Sequence, residues 1–161
     1  IKFFTNASSG TPQQRATIDS SGNLLVGKTS AGLGTTGVEA SSGGYIRATR
    51  DGNSLTLNRL STDGNLATFT KDGLSVGSIG TRASLLKIGT GDVGLLFNSS
   101  SDAILPENID GGAGRDGAID LGVAGARFKD LYLSGGAYIG GTGSANYLDD
   151  YEEGIWTPVV D

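Results

Sequence analysis

The side chains able to do chemistry in this chain are few and of restricted type. His, Cys and Met are absent from all 161 residues. No imidazole base, thiolate nucleophile, disulfide or Cys/His metal site can therefore form. Carboxylates remain, and their densest group is Asp149, Asp150, Glu152 and Glu153. Glycoside hydrolysis needs two carboxylates held across a substrate cleft at a fixed separation. Adjacent acids on one short stretch do not supply it, and the expectation is a protein that is not an enzyme and has no catalytic residue. Calcium is the other chemistry carboxylates offer. Gly111-Gly112-Ala113-Gly114-Arg115-Asp116 matches the opening of the calcium-binding nonapeptide of parallel β-rolls. That site is assembled between stacked tandem copies, and a single copy stands here. Asp116 is read as part of a glycine-rich turn and the acids at 149–153 as a solvated edge. No metal or other cofactor is expected.

Two stretches match the dinucleotide fingerprint, Gly89-Thr90-Gly91-Asp92-Val93-Gly94 and Gly112-Ala113-Gly114-Arg115-Asp116-Gly117. The fingerprint binds pyrophosphate only where a helix N-terminus follows it. Leu95-Leu96-Phe97 follows the first and Ala118-Ile119-Asp120-Leu121 the second, and both read as strand. With 28 glycines in the chain, such matches arise by chance. Tyr147, Tyr151 and Trp156 lie within ten residues of one another. They are the candidate contact residues, either a stacking platform for a glycan or an anchor packed between chains or against a following domain. The net charge of −5 lacks the basic footprint of a nucleic-acid binder. No apolar run approaches the length of a membrane-spanning helix.

The elements that must position these residues are strands. Short β-prone runs alternate with glycine-bearing turns: Ala16-Thr17-Ile18-Asp19, then Ser20-Ser21-Gly22-Asn23, then Leu24-Leu25-Val26-Gly27. Tyr45 to Arg50 is the next run, closed by Asp51-Gly52-Asn53. Ser54 to Leu60, a turn at Ser61-Thr62-Asp63-Gly64, and Asn65 to Lys71 follow. Asp72-Gly73 then leads into Leu74-Ser75-Val76. Asp-Gly and Gly-Asn suit turns that need positive φ. Large residues alternate along the runs: Leu55/Leu57, Leu74/Val76, Leu86/Ile88, Val93/Leu95/Phe97, Ile119/Leu121/Val123 and Leu131/Leu133. One face is apolar and the other carries Gly, Ser, Thr, Asp or Lys. The best helical stretch, Ala126 to Tyr132, makes two turns at most. The fold class expected is all-β. Three segments are expected: 1–98 as repeated strand-turn modules, 99–147 as a looser glycine-rich stretch with a strand at Ala118 to Val123, and 148–161 as an acidic-aromatic junction.

Apolar residues make up 37% of the chain, and ordering each residue's backbone costs roughly 1–2 kcal/mol. Glycine raises that cost further. One copy of the chain has too few large side chains to offset it, so further copies are expected to supply the burial. The absence of methionine, initiator included, leads us to expect a piece of a longer chain.

The order of motifs resembles that of bacteriophage tail fibres and tail spikes. Arg15-Ala16-Thr17-Ile18-Asp19-Ser20-Ser21-Gly22-Asn23-Leu24-Leu25-Val26-Gly27 is similar to their "R-x-x-I-D-S-S-G-N" units. The stretch from Phe69 through Lys71-Asp72-Gly73-Leu74 to Thr81 resembles a module that follows such a unit. So do Ala118-Ile119-Asp120-Leu121-Gly122 and Arg127-Phe128-Lys129-Asp130-Leu131-Tyr132-Leu133. Leu148-Asp149-Asp150-Tyr151-Glu152-Glu153-Gly154-Ile155-Trp156-Thr157-Pro158 is similar to the junction ahead of a distal receptor-binding or chaperone domain, with Ile155 where the family usually has Thr. The resemblance implies an elongated homotrimeric fibre of intertwined β-helix or β-prism-like units. It also implies a virion location, other tail proteins as partners, and support of host adsorption without catalysis. The rival expectations are a carbohydrate-binding module that touches host surface glycan and a segment of a trimeric bacterial surface adhesin. Neither nucleic acid nor membrane is an expected partner.

Overall fold

In the computed structural model, which describes residues 1–6 and 10–148, the chain is all-β and its sheets are antiparallel. The chain divides into two units, Ile1–Gly114 and Arg115–Asp161.

The first unit holds two meanders. One is a five-stranded sheet of β1 (Lys2–Asn6), β2 (Pro12–Ile18), β3 (Leu24–Val26), β4 (Gly37–Ala40) and β5 (Ile46–Thr49), each strand paired with the next. The other has six strands: β6 (Gly64–Lys71), β7 (Leu74–Arg82), β8 (Leu85–Thr90), β9 (Val93–Asn98), β10 (Ala103–Asn108) and β11 (Ala113–Gly114). Sequential antiparallel pairing is what short runs joined by tight turns produce.

The turns carry the register. Between β2 and β3 the Asp19 carboxylate accepts from the Ser21 and Asn23 amides, each at 2.9 Å, and from the Asn23 side chain at 2.9 Å. Asn23 Oδ1 in turn accepts from the Ser42 amide at 3.0 Å and from the Ser41 hydroxyl at 3.1 Å. The Asp-Ser-Ser-Gly-Asn motif is thus a staple that ties the β2–β3 turn to the β4–β5 turn. Asp72 and Gly73 both take positive φ between β6 and β7, the tight turn their types predict. Ala83 and Ser84 do the same between β7 and β8, where the residue types give no such signal.

Pairing puts the alternating residues on defined faces. In the six-stranded sheet Ile79 lies opposite Ile88, Ile88 opposite Leu95, Leu86 opposite Phe97, and Phe97 opposite Ile104. In the five-stranded sheet Ala16, Val26, Val38 and Ala48 form one cross-strand row, and Ile18, Leu24, Ala40 and Ile46 form the next. The glycine-rich stretch from Ser99 does not end the sheet, because β10 and β11 extend it to Gly114. Pro106 is accommodated in β10 because β11 pairs only with Glu107 and Asn108, and no ladder amide is lost.

Three expectations fail. The run from Ser54 to Leu60 is extended but joins no strand, so the anticipated hairpin into β6 does not form. The strand at Ala118 to Val123 reduces to one bridge, Val123 to Ala126. Gly122, at φ +89, and the reciprocal bonds between Val123 and Ala126 curl the backbone there instead of extending it. The helical stretch from Ala126 to Tyr132 is not helical, and a 3₁₀ turn at Ser144–Asn146 is the one helical element among the described residues. In the second unit, β12 (Ala137–Tyr138) pairs with β13 (Tyr147–Leu148).

Candidate functional site

Each sheet of the first unit has one closed face and one open face, and the closed faces carry the charge. On the five-stranded sheet, Thr17, Leu25, Glu39 and Arg47 form a cross-strand row. Leu25 is fully buried and Glu39 is 1% exposed. The loop between β3 and β4 lies over this row: Gly32 donates its amide to Glu39 Oε2 at 2.8 Å, and Lys28 Nζ donates to the Gly32 carbonyl. Arg47 reaches Glu39 Oε1 at 3.1 Å and Lys28 reaches Oε2 at 3.5 Å. The Gly32 amide, helped by the two cations, holds the Glu39 carboxyl below its ordinary range despite burial. Gly37 sits in this crossing because a Cβ there would stand 2.6 Å from the Val26 carbonyl oxygen.

The six-stranded sheet repeats the arrangement with different residues. Leu96 is 2% exposed and Glu107 is fully buried. Arg82 Nε lies 2.6 Å from Glu107 Oε1 as an ion pair, although the angle falls outside hydrogen-bond geometry. Lys87 Nζ donates to the Ile109 carbonyl. Ile109, 3% exposed, closes the face by lying across Gly89 and Gly94, where a Cβ would overlap its side chain. The Ile109 and Asp110 amides both donate to the Gly91 carbonyl at 3.0 Å. The first dinucleotide-like fingerprint is therefore the β8–β9 hairpin. Gly91 makes its positive-φ turn, and Gly89 with Gly94 clears the floor for Ile109. No helix follows Gly94, and the pyrophosphate-binding half of that motif is missing. The second fingerprint spans β11 and a turn in which the Ala118 amide donates to the Arg115 carbonyl at 3.2 Å, again without a helix.

The open faces are apolar. Among the described residues only Leu25, Leu96 and Ile109 are buried hydrophobic side chains, and all three lie on the closed side. Leu86, Ile88, Val93, Leu95, Phe97 and Ile104 remain 37–62% exposed on the opposite face of the six-stranded sheet. Ile18, Leu24, Val26, Val38 and Ile46 are 37–77% exposed on the five-stranded one. In the second unit Leu121, Phe128, Leu131 and Tyr132 are 66–90% exposed, with no buried hydrophobic side chain among its described residues.

The sequence candidates fare unevenly. Tyr147 is placed on β13, where its ring meets that of Tyr138 at 4.7 Å and 38° and its hydroxyl accepts from the Gly136 amide at 2.9 Å. Tyr138 is the partner that sequence spacing misses; only the two-strand pairing brings it alongside. Tyr151, Trp156 and the acids at 149–153 lie outside the described residues. Among the described residues no three acidic side chains converge as a metal centre would require. A shallow cleft lined by Arg59, Ser61, Thr62, Asp63, Thr81 and Ser84 has one acid, Asp63. The Ser84 amide and the Thr81 hydroxyl hold that acid below its ordinary range, which makes it an ionised turn staple. Among the described residues no helix is long and apolar enough to cross a membrane. Comparison with protein-family models, curated proteins and solved structures finds no match.

Proposed function

We propose that this chain is a structural, non-catalytic segment of a bacteriophage tail fibre, a homotrimer whose copies cover one another's apolar sheet faces. One observation carries the reading: both sheets close their charged face within the chain and leave the apolar face open. A lone soluble domain is built the other way round, with apolar faces inward and charges in water. Contiguous exposed apolar surface of this kind marks an interface. Covering the remaining exposed half of each such side chain contributes roughly 1 kcal/mol. Each sheet offers five or more of them. A closed cyclic assembly of like subunits satisfies every copy at once.

The placement in a virion, the other tail proteins as partners and the support of host adsorption rest on the motif order read from the sequence. The Asp19–Asn23 staple adds a physical reason for the first of those motifs. A glycan-binding role draws less support, since Tyr138 and Tyr147 engage each other and the Tyr147 hydroxyl is occupied. The test is Leu95→Asp, which places a charge at the centre of the open face. Light scattering should show the trimer lost, while Ser101→Asp in the exposed β9–β10 turn keeps it. A trimer unaffected by Leu95→Asp overturns the proposal.

A further inference from the structure

The extended run at 53–60 is the strangest feature of the first unit. Every one of its residues is exposed, and Leu55 and Leu60 are 73% and 77% exposed. Among the described residues, no backbone amide or carbonyl from Asn53 to Arg59 finds a hydrogen-bond partner. Its composition is that of a strand: Leu55 and Leu57 alternate with Ser54, Thr56 and Asn58. An extended, β-prone segment with bare backbone groups is the donor half of strand addition.

An acceptor edge lies immediately before it. β5 pairs with β4 on one side only, and its other edge is open. Three residues, Arg50-Asp51-Gly52, separate the two, enough for an ordinary hairpin loop. The hairpin does not close. No backbone hydrogen bond crosses the loop, and Gly52 takes φ +112, far from the value near +57 of a left-handed turn residue. The chain leaves its own β5 and runs on. On the closed side of β5 the Thr49 hydroxyl is shielded from solvent and has no partner.

We propose that the run at 53–60 is exchanged between copies of this chain, each adding it as a sixth strand to the open edge of a neighbour's β5. This rests on the homotrimer reading and deepens it. The pairing places Leu55 and Leu57 beside Ile46 and Ala48, which widens the apolar face. It places Ser54, Thr56 and Asn58 on the side of Arg47 and Thr49, where a hydroxyl or amide completes the Thr49 bond. Three linking residues span at most about 11 Å, so the acceptor belongs to a copy packed directly against the donor. Exchange of like elements between protomers is a low-cost route to a closed assembly.

The chain has no cysteine, so an introduced pair reports only on itself. Thr49→Cys is combined in turn with Ser54→Cys, Thr56→Cys and Asn58→Cys in the full chain and oxidised. At one of the three positions, chains should link covalently into dimers and trimers on a denaturing gel. Linkage confined within single chains, or no linkage at any position, overturns the exchange. Successive amides of a strand point to opposite edges, so one of Thr56→Pro and Leu57→Pro removes a ladder amide from a run that has no ladder inside its own chain. That variant should lower the melting temperature of the trimer by about 5 °C or more, and alternate amides of 53–60 should exchange about 100-fold slower than in an unstructured chain. A parent trimer with every 53–60 amide exchanging fast and both proline variants indifferent sinks the exchange and leaves the trimer standing. A parent that is monomeric sinks both.

Discussion

Gly94→Ala adds one methyl group at the most crowded point of the six-stranded sheet. The new Cβ overlaps Ile109 Cδ1 and Cγ1 and stands 2.8 Å from the Ile88 carbonyl oxygen. The Ile88 carbonyl belongs to β8 and cannot retreat without breaking its pairing to β9. Ile109 must therefore lift off the face it closes, giving up burial worth roughly 1.5–3 kcal/mol. Residual strain against the carbonyl adds about 1 kcal/mol. The sum, about 2.5–4 kcal/mol, corresponds to a drop in melting temperature of roughly 10–20 °C for a unit of this size. Circular dichroism melts of Gly94→Ala and Gly114→Ala make the comparison, because a Cβ at Gly114 meets nothing within 4 Å. Ile109→Ala alone is expected to cost about 2–4 kcal/mol. Added to Gly94→Ala it should cost far less than the sum, since the shared clash is gone. A Gly94→Ala protein that melts with the parent, or strictly additive costs, refutes the account of the β8–β9 hairpin.

Three further outcomes follow from local structure. Asp19, Glu39 and Asp63 all have folded carboxyl values below their ordinary ones, through hydrogen bonds and, for Glu39 and Asp63, nearby cations. Their stabilisation is complete above the unfolded values near 4 and is lost as pH falls through the lower folded ones; melting temperature should be level from pH 7 to 5 and drop below about 4, and a protein equally stable at pH 2 contradicts this. Ser84→Gly relieves a positive φ of 62° while keeping the amide that binds Asp63, and should raise stability by about 0.5–1 kcal/mol in denaturant titration. Trp156→Ala should lower the melting temperature of the proposed trimer with no change in glycan-array binding, whereas lost glycan binding at full stability would make Trp156 a sugar contact.

The legible part of the fold was the part written in turn chemistry and alternation. Asp72-Gly73 and Ser20-Ser21-Gly22-Asn23 announced their hairpins, and Leu86/Ile88 with Val93/Leu95/Phe97 announced a two-faced sheet. The β7–β8 turn was not readable, because Ala83 and Ser84 are poor at positive φ and are held there by the distant Asp63 carboxylate. The run at 54–60 read as an in-chain strand, since alternation reports strand character but not where the partner edge lies. The buried acids were hidden for a similar reason. Glu39 in Val38-Glu39-Ala40 and Glu107 after Pro106 look like solvent-facing residues until the β3–β4 loop folds over the first and Arg82 reaches the second. Their one sequence signal is a lone acid in a short strand, flanked by Val38 and Ala40 for Glu39 and preceded by Leu105 and Pro106 for Glu107. Tyr138 needed the β12–β13 pairing to stand beside Tyr147.

The central claim is that one copy leaves its apolar faces for other copies to cover, and mass in solution tests it most directly. Sedimentation equilibrium at micromolar concentration should give a folded species of three times the 16.3 kDa chain, with its β-sheet circular dichroism signal and the oligomer lost in one transition. A folded, stable species of single-chain mass would contradict it.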